Sequence, residues 1–307
     1  MYDVLCGIKI DTDQIDLAII SHDGEFVFEQ NLKLPADENT LIQLIVQTLS
    51  SVDSAYQPQA LGITFPGFYA GTSAPEHYQL YCASIPALHK TSLKYKLQAS
   101  LNIPVSLAGY GQALCASHLQ HYPDKNIFAL HVAQDASAGL GVRGHLISGA
   151  HGIAGNWGHI SLPWPVDYEL DNKVCWCGKS GCLAHFISLG GLEQDYALLT
   201  NEEAQAQDII SRARQGDIVA ESVIQVLEDR LARGLAMVCN LFDPDVIILG
   251  GYLGSVERIF SAIPRKWPGY SQIGQFSVEL TAPAYDDEKS LLLGASQLEQ
   301  HHRKQPS

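Results

Sequence analysis

Gly149-Ala150-His151-Gly152-Ile153-Ala154-Gly155-Asn156-Trp157-Gly158-His159, followed by Cys175-Trp176-Cys177-Gly178-Lys179-Ser180-Gly181-Cys182, is the stretch that decides how this chain is read. Three thiols fall within eight residues, spaced by glycines that let the backbone wrap a single ion. A structural zinc site needs four N or S ligands in a closed tetrahedron. The cysteines leave one place, for which His159 upstream and His185 downstream compete. Against this stands a reduced Cys-rich loop without metal, although free Cys ordinarily buries singly as a small hydrophobe. Cys6, Cys82, Cys115 and Cys239 are scattered in that manner. An odd total of seven Cys with three clustered points to metal ligation in a reducing compartment, the cytoplasm, rather than to a disulfide framework.

The surrounding 307 residues suggest two domains at roughly 150 residues each. A net charge of −14 supplies no excess of Lys and Arg to displace counterions, so direct nucleic-acid binding is not expected. No run approaches the roughly 18 apolar residues that span a bilayer. The opening Met1-Tyr2-Asp3-Val4-Leu5-Cys6 lacks a basic segment followed by an apolar one, so neither membrane insertion nor secretion is expected.

Short β-rich runs, Val4–Ile10, Ile15–Ile20 and Glu25–Phe28, are separated by polar turns and predict a three-stranded meander. A helical face over Asn39 to Val52 begins at Asn39 or Thr40 as cap. Leu61–Phe65 and Val105–Leu107 read as buried strands, and Leu93–Ala99 and Gly111–Leu119 as the helices around the latter. A second lobe starts near Asp124 with the strand Asn126–Val132, followed by a Gly-rich stretch from Gly139 to Gly158. Helices are predicted over 201–214 and 218–241, a fully apolar strand over Val246–Leu249, and a terminal helix over Leu291–Glu299. The tail from His301 to Ser307 reads as frayed.

The Gly149–Cys182 stretch resembles the ROK family of bacterial sugar kinases and sugar-responsive repressors, especially its N-acetylglucosamine kinase-like and fructokinase-like members. Gly62-Ile63-Thr64-Phe65-Pro66-Gly67, Asp243 to Gly251 and Leu293-Gly294-Ala295 extend the resemblance over nearly the whole chain. It implies an α/β chain with the actin-like ATPase (ribonuclease H-like) fold, two lobes with a cleft between them, and a structural zinc loop. The lobes would be 1–123, joined by a C-terminal helix over 289–302, and 124–288, carrying the zinc. The resemblance favours His159 as fourth ligand beside Cys175, Cys177 and Cys182.

The family transfers a phosphoryl group from ATP to a sugar hydroxyl, which needs amides for the phosphates, a carboxylate for the hydroxyl proton and groups that position the sugar. Here the positions that match these roles are altered. The first phosphate loop of the family, Gly-Ile-Asp-x-Gly-Gly-Thr-Lys, is replaced by Gly7-Ile8-Lys9-Ile10-Asp11-Thr12-Asp13-Gln14. The second, a Gly-Thr-Gly element, is replaced by Ala133-Gln134-Asp135-Ala136-Ser137-Ala138-Gly139. A carboxylate about 4 Å from where a phosphate should sit costs on the order of several kcal/mol at an effective dielectric near 20. ATP and Mg are therefore not expected to bind. Lys9, at the family's metal-associated Asp, could neutralise Asp11 or Asp135.

The catalytic Asp of the family's Asn-Asp-Ala-Asn sequence aligns with Tyr110 in Gly109-Tyr110-Gly111-Gln112. A phenol is a poor base at neutral pH, and a positioned base is worth about 10²–10⁴-fold in rate. In the sugar site, Asn156 and Ala184 replace two Glu, while His159 serves zinc and could still contact a sugar together with Asn156. Gly250-Gly251 reads equally as an adenine contact or a packing turn.

These departures predict a ROK-family sugar kinase homologue without phosphotransfer, acting in regulation, scaffolding or sensing of a small molecule, for which a weakly bound sugar is one candidate. The alternative is an active ATP-dependent hexose or N-acetylhexosamine kinase with a rebuilt site, for which Asp135 and Glu169 are the remaining candidate bases. A homodimer is expected, with Trp157, Trp164 and Trp176 offering either aromatic anchors or cover for the metal loop.

Overall fold

A computed structural model of the chain describes residues 4–21, 23–71, 77–170 and 174–303, with the side chains of 302 and 303 left out. These residues form two compact units: Met1–Ala129 with Ser137–Gly155 and Pro283–Ser307, and Leu130–Ala136 with Asn156–Ala282. The chain therefore leaves the first unit twice and re-enters it twice.

The first unit begins with β1 (Val4–Ile10), β2 (Gln14–Ser21) and β3 (Phe26–Lys33), the predicted antiparallel meander. Helix α1 (Glu38–Ser51) starts one residue before the predicted span, because Asp37 rather than Asn39 or Thr40 is the cap. Asp37 stays extended while its carboxylate accepts from the Thr40 N–H at 3.0 Å and the Thr40 hydroxyl at 2.7 Å. Then follow β4 (Leu61–Phe65), the short hairpin β5 (Phe68–Ala70) and β6 (Gln79–Tyr81), α2 (Leu93–Leu101), β7 (Val105–Gly109) and α3 (Tyr110–His118). β4 runs parallel to β1 and β7 parallel to β4, so the sheet order is β3-β2-β1-β4-β7. All five residues of β4 and of β7 are buried, as a parallel pair covered on both faces requires. Ile8, Ile10, Leu17 and Ile63 of the sheet share one core with Leu41 and Ile45 of α1 and Leu93 and Leu97 of α2.

The Gly-rich stretch from Gly139 begins inside a strand. β8 (Asn126–Val132), β9 (Ala136–Val142) and β10 (His145–Ile147) are strands, and the last two are joined by a turn in which Arg143 and Gly144 both have positive φ. That is the geometry tight hairpins favour. Ser137–Gly155 belongs with the first unit. Backbone contact is the reason: the Gly111 N–H donates to Ser137 Oγ at 3.0 Å, and a Cβ on Gly111 would lie 2.4 Å from the Ala138 Cα.

In the second unit, α4 (Ala184–Ile187) and α5 (Leu189–Thr200) precede α6 (Ala206–Arg214). Asn201 ends α5 in the left-handed conformation, so the helix predicted from 201 starts only at 206. Helix α7 (Ile218–Phe242) is capped by Asp217, which accepts from Val219 and Ala220 N–H, and buries Val223, Leu227, Leu231 and Leu235. β11 (Val246–Gly250), α8 (Glu257–Lys266) and β12 (Glu279–Thr281) follow, with β12 parallel to β11. The second sheet has the order β10-β9-β8-β11-β12.

The closing helix α9 (Asp287–Arg303) is longer than predicted and packs on α3, β1 and β4 of the first unit. Its approach is backbone to backbone. A Cβ on Gly62 would lie 1.7 Å from the Ala295 carbonyl oxygen, and one on Gly294 1.8 Å from that of Ala113. Of the tail expected to fray, residues 304–307 lie outside the described residues. Among the described residues no helix is long and apolar enough to cross a membrane.

Candidate functional site

The metal-ligating candidates converge in the second unit. His159 closes a single 3-10 turn over Trp157–His159, and residues 160–162 run beside the end of the Cys loop: Leu183 N–H donates to the Ile160 carbonyl at 2.8 Å and Leu162 N–H to that of Gly181 at 3.0 Å. Within the loop, Gly178 N–H donates to the Cys175 carbonyl and Cys175 N–H to that of Lys179, both at 2.8 Å. Gly178 and Gly181 take φ of 82° and 74°, which a residue with a Cβ adopts only under strain. This knuckle brings one ligand atom each of His159, Cys175, Cys177 and Cys182 within 4.8 Å of one another.

Their chemistry fits zinc. Cys177 and Cys182 Sγ are 3.6 Å apart, and His159 Nδ1 lies 3.5 Å from Cys175 Sγ. Two sulfurs on one tetrahedral zinc at about 2.3 Å would be separated by about 3.8 Å. Burial first, and then the neighbouring thiols, push the Cys182 thiol up to about 12. Such thiols give up their protons when a cation gathers the charge. His185, the competitor, sits on α4 and is not in the cluster. Trp176 meets the His159 ring edge-on at 4.8 Å. Burial holds that ring below the ordinary histidine range, against the opposing charge of Asp135.

The residues matched to phosphate and proton transfer fall in both units. In the first, Asp11 to Gln14 form a tight turn closed by Asp11 N–H donating to the Gln14 carbonyl at 2.9 Å. The Thr12 N–H, which a phosphate cradle would present outward, donates to the Asp11 carboxylate at 2.8 Å. Asp13 supplies its carbonyl to Leu34 N–H. Lys9 is buried, with Nζ 3.1 Å from Asp16 and 3.8 Å from Asp11. Burial works to lower the Lys9 pKa, but the Asp16 hydrogen bond and charge hold it above the usual value. Asp16 also accepts from Asn31 at 2.6 Å and Gln14 at 3.3 Å. The principal partner of Lys9 is therefore Asp16, a buried neighbour on β2 that the sequence reading did not single out.

Tyr110, the first residue of α3, is 6% exposed, and its hydroxyl donates to the Ile10 carbonyl at 2.7 Å. Burial, reinforced by the charge of Asp11, raises its pKa far above that of a free phenol. The next polar residue, Gln112, spends its amide on the Gly152 and Ala154 carbonyls.

In the second unit, the Asp135 carboxylate accepts from the Ala136 N–H at 2.8 Å and its carbonyl from Ala133 N–H, so it builds the turn between β8 and β9. Gln134 lies beside Gly190, and the Asn156 carbonyl accepts from His159 N–H. Gly251 has φ 71°, and a Cβ there would stand 2.3 Å from the Val132 carbonyl oxygen, so packing alone requires glycine.

Glu169 is not a free base. It accepts from Arg230 Nε at 2.7 Å and from Arg233 at 2.7 and 2.9 Å, with all three side chains buried. Although burial opposes ionisation, these arginines, Arg233 foremost, hold its carboxyl below the usual glutamate range. Arg230 also bonds Asp195, and Arg233 the Pro163 and Trp164 carbonyls. The cluster pins residues 163–169, the segment between His159 and Cys175, onto α7. Sequence reasoning missed both arginines, whose signal was two cations three residues apart on a mostly apolar helix. Of the three tryptophans offered as anchors, Trp157 is buried against Gly234, whereas Trp164, stacked on Tyr270, is 53% exposed and Trp176 38%.

Comparison with known proteins agrees with this architecture. The ROK family model matches residues 5–302. An N-acetyl-D-glucosamine kinase of Pectobacterium atrosepticum is 26% identical over 273 residues, 85% of this chain and 88% of the relative. The crystal structure of a ROK hexokinase from Thermus thermophilus matches with a TM-score of 0.83 at 18% identity, over 98% of this chain and all of that one. That of a ROK transcriptional regulator, a homologue of the E. coli Mlc protein, matches with a TM-score of 0.77 at 21% identity, over 97% of this chain and 78% of that one. The fold is thus that of ROK kinases, the actin-like ATPase fold.

Proposed function

The chain belongs to the ROK family, and we propose that it is a sugar kinase homologue that has given up phosphoryl transfer and works as a regulatory, scaffolding or small-molecule-sensing protein. One observation carries this reading: the Tyr110 hydroxyl, at the position of the family's proton acceptor, is buried and donates to the Ile10 carbonyl. A group already donating, with its pKa raised, does not accept a proton from a sugar hydroxyl. The Thr12 amide held by Asp11 supports the same reading, because the loop then meets a phosphate with a carboxylate instead of an N–H. A regulator with a matching fold is a precedent for the fold serving other ends.

His159, Cys175, Cys177 and Cys182 would hold one zinc, and four protein ligands make such a site structural, with no position left for a reacting water. A weak sugar contact would fall to Asn156 and His159. The exposed rings of Trp164 and Trp176 suit a homodimer contact in the cytoplasm, which light scattering on the purified protein tests directly.

A second reading, an active ATP-dependent hexose or N-acetylhexosamine kinase, is favoured by the relatives named as such kinases. The two part in one experiment, in which Mg-ATP and a panel of hexoses and N-acetylhexosamines are presented to the purified protein. Release of ADP and nucleotide-dependent thermal shift are followed together. Absence of both supports loss of transfer; saturable, sugar-dependent ADP release establishes the kinase.

A further inference from the structure

His118, the last residue of α3, has hydrogen bonds that only a neutral ring satisfies. It is 2% exposed. Its Nε2 accepts from the Ala284 N–H at 2.9 Å, so the ring proton sits on Nδ1, 2.9 Å from both the Leu114 carbonyl and the Ser117 hydroxyl. A second proton would have to enter at Nε2, where it meets an N–H instead of an acceptor.

Ala284 lies in the segment, residues 283–286, by which the chain re-enters the first unit ahead of α9. Tyr285 packs on His118 with ring centroids 5.9 Å apart and on His121 at 5.6 Å, and the two histidine rings are 5.8 Å apart. The Tyr285 hydroxyl is 3.4 Å from His121 Nε2. Three rings and one main-chain hydrogen bond thus fasten the segment to the end of α3. The other charged groups nearby are otherwise engaged. Asp286 caps the Lys289 N–H and pairs with the Lys289 ammonium, Lys125 lies over the Tyr122 ring, and His145 of β10, which neighbours α3, is exposed. Among the described residues no carboxylate pairs with His118.

We propose that His118 is an acid-released latch: on protonation it lets go of Ala284 and frees the segment that seats α9 on the first unit. Burial holds the ring below its ordinary value; the bond to Leu114 opposes this and the neighbouring His121 adds to it. With the folded value depressed, the latch is fully effective above the ordinary histidine value near 6.5 and is lost as pH falls from there through the folded value. The region affected is the N-terminal end of α9, whose first turn follows three residues after Ala284.

Amide hydrogen exchange by NMR on the full chain tests this, with protection factors corrected for intrinsic exchange between pH 7.5 and 5. Ala284 is expected to lose protection by at least about tenfold over this range while Ile63 in β4 keeps its own. In His118→Gln, whose side-chain carbonyl can accept without titrating, Ala284 protection is expected to be flat with pH. A wild-type Ala284 amide with constant protection, or the same fall in His118→Gln, overturns the latch. If that variant does not fold, the wild-type His118 ring resonances decide. The loss at Ala284 must begin near the ordinary histidine value and level off where the folded ring titrates, and a ring that titrates with Ala284 protection unchanged, or a loss that runs on below that titration, refutes the assignment.

Discussion

Tyr110 and Ile10 are joined by a 2.7 Å hydrogen bond from phenol to main-chain carbonyl, which ties the first turn of α3 to the last residue of β1. On the proposed reading, the bond is a structural fastening at the position matched to the family's proton acceptor. Tyr110→Phe is therefore expected to leave the Ile10 carbonyl unsatisfied and to cost about 1–3 kcal/mol, read from urea unfolding. Tyr110→Asp, which introduces the residue that the resemblance implies there, is expected to destabilise the protein without producing ADP release, because Asp11 and Asp135 remain at the positions matched to the phosphate loops. Sugar-dependent turnover in that variant would show that only the base had been lost.

Metal content gives an independent check on the knuckle. Purified protein is expected to hold a single zinc by elemental analysis, His159→Ala and Cys182→Ser to lose it, and His185→Ala to keep it. Chelation should lower the unfolding temperature, since structural zinc contributes folding free energy. Zinc retained in His159→Ala and lost in His185→Ala would reverse the ligand choice.

Glu169 faces two buried guanidinium groups, and removing its charge takes from both the carboxylate they share, leaving Arg230 to Asp195 and Arg233 to Asp229. Glu169→Gln is expected to cost about 3–5 kcal/mol, the range for breaking a buried pair by deleting one partner. The sign of the pH effect follows from the depressed folded value. Stability is whole above the ordinary glutamate value of 4.5 and is lost as pH falls through the folded value, so the acid limb should be shallower in the variant than in the wild type. Denaturant midpoints from pH 7 to 3 would reveal equal slopes if the cluster were inert.

Gly294→Ala places a methyl 1.8 Å from the Ala113 carbonyl oxygen, a main-chain atom that cannot swing away. Overpacking costs about 1–3 kcal/mol and occasionally more, and the upper end is expected here. A melting temperature unchanged from wild type would mean that α9 shifts freely on α3.

Much of this was readable from local signals. The Cys spacing marked the knuckle, alternating and continuous apolar runs marked β1 to β4, and the long period of α7 ended within a residue of its place. What escaped was non-local. β9 carries Gly139 and Gly141, which weaken a strand signal, yet a Cβ on Gly139 would lie 2.3 Å from the Gly111 carbonyl oxygen. Glu169 looked like a spare base because its partners lie 61 and 64 residues away on α7. The preference for His159 over His185 came from the family resemblance, since three cysteines and two nearby histidines do not choose between them. Lys9 drew attention for its acidic neighbours, while its closest partner, Asp16, sat inside an apolar strand pattern.

The seating of α9 on β1 and β4 also bears on how the protein is made. Residues 287–303 leave the ribosome after every other helix among the described residues, yet Gly7 and Gly62 present bare backbone to them. Until α9 has been translated, the nascent sheet of β1 and β4 must wait without the helix that packs on it. A ribosome stalled before residue 283 would then display a partly folded chain, a natural client for chaperones.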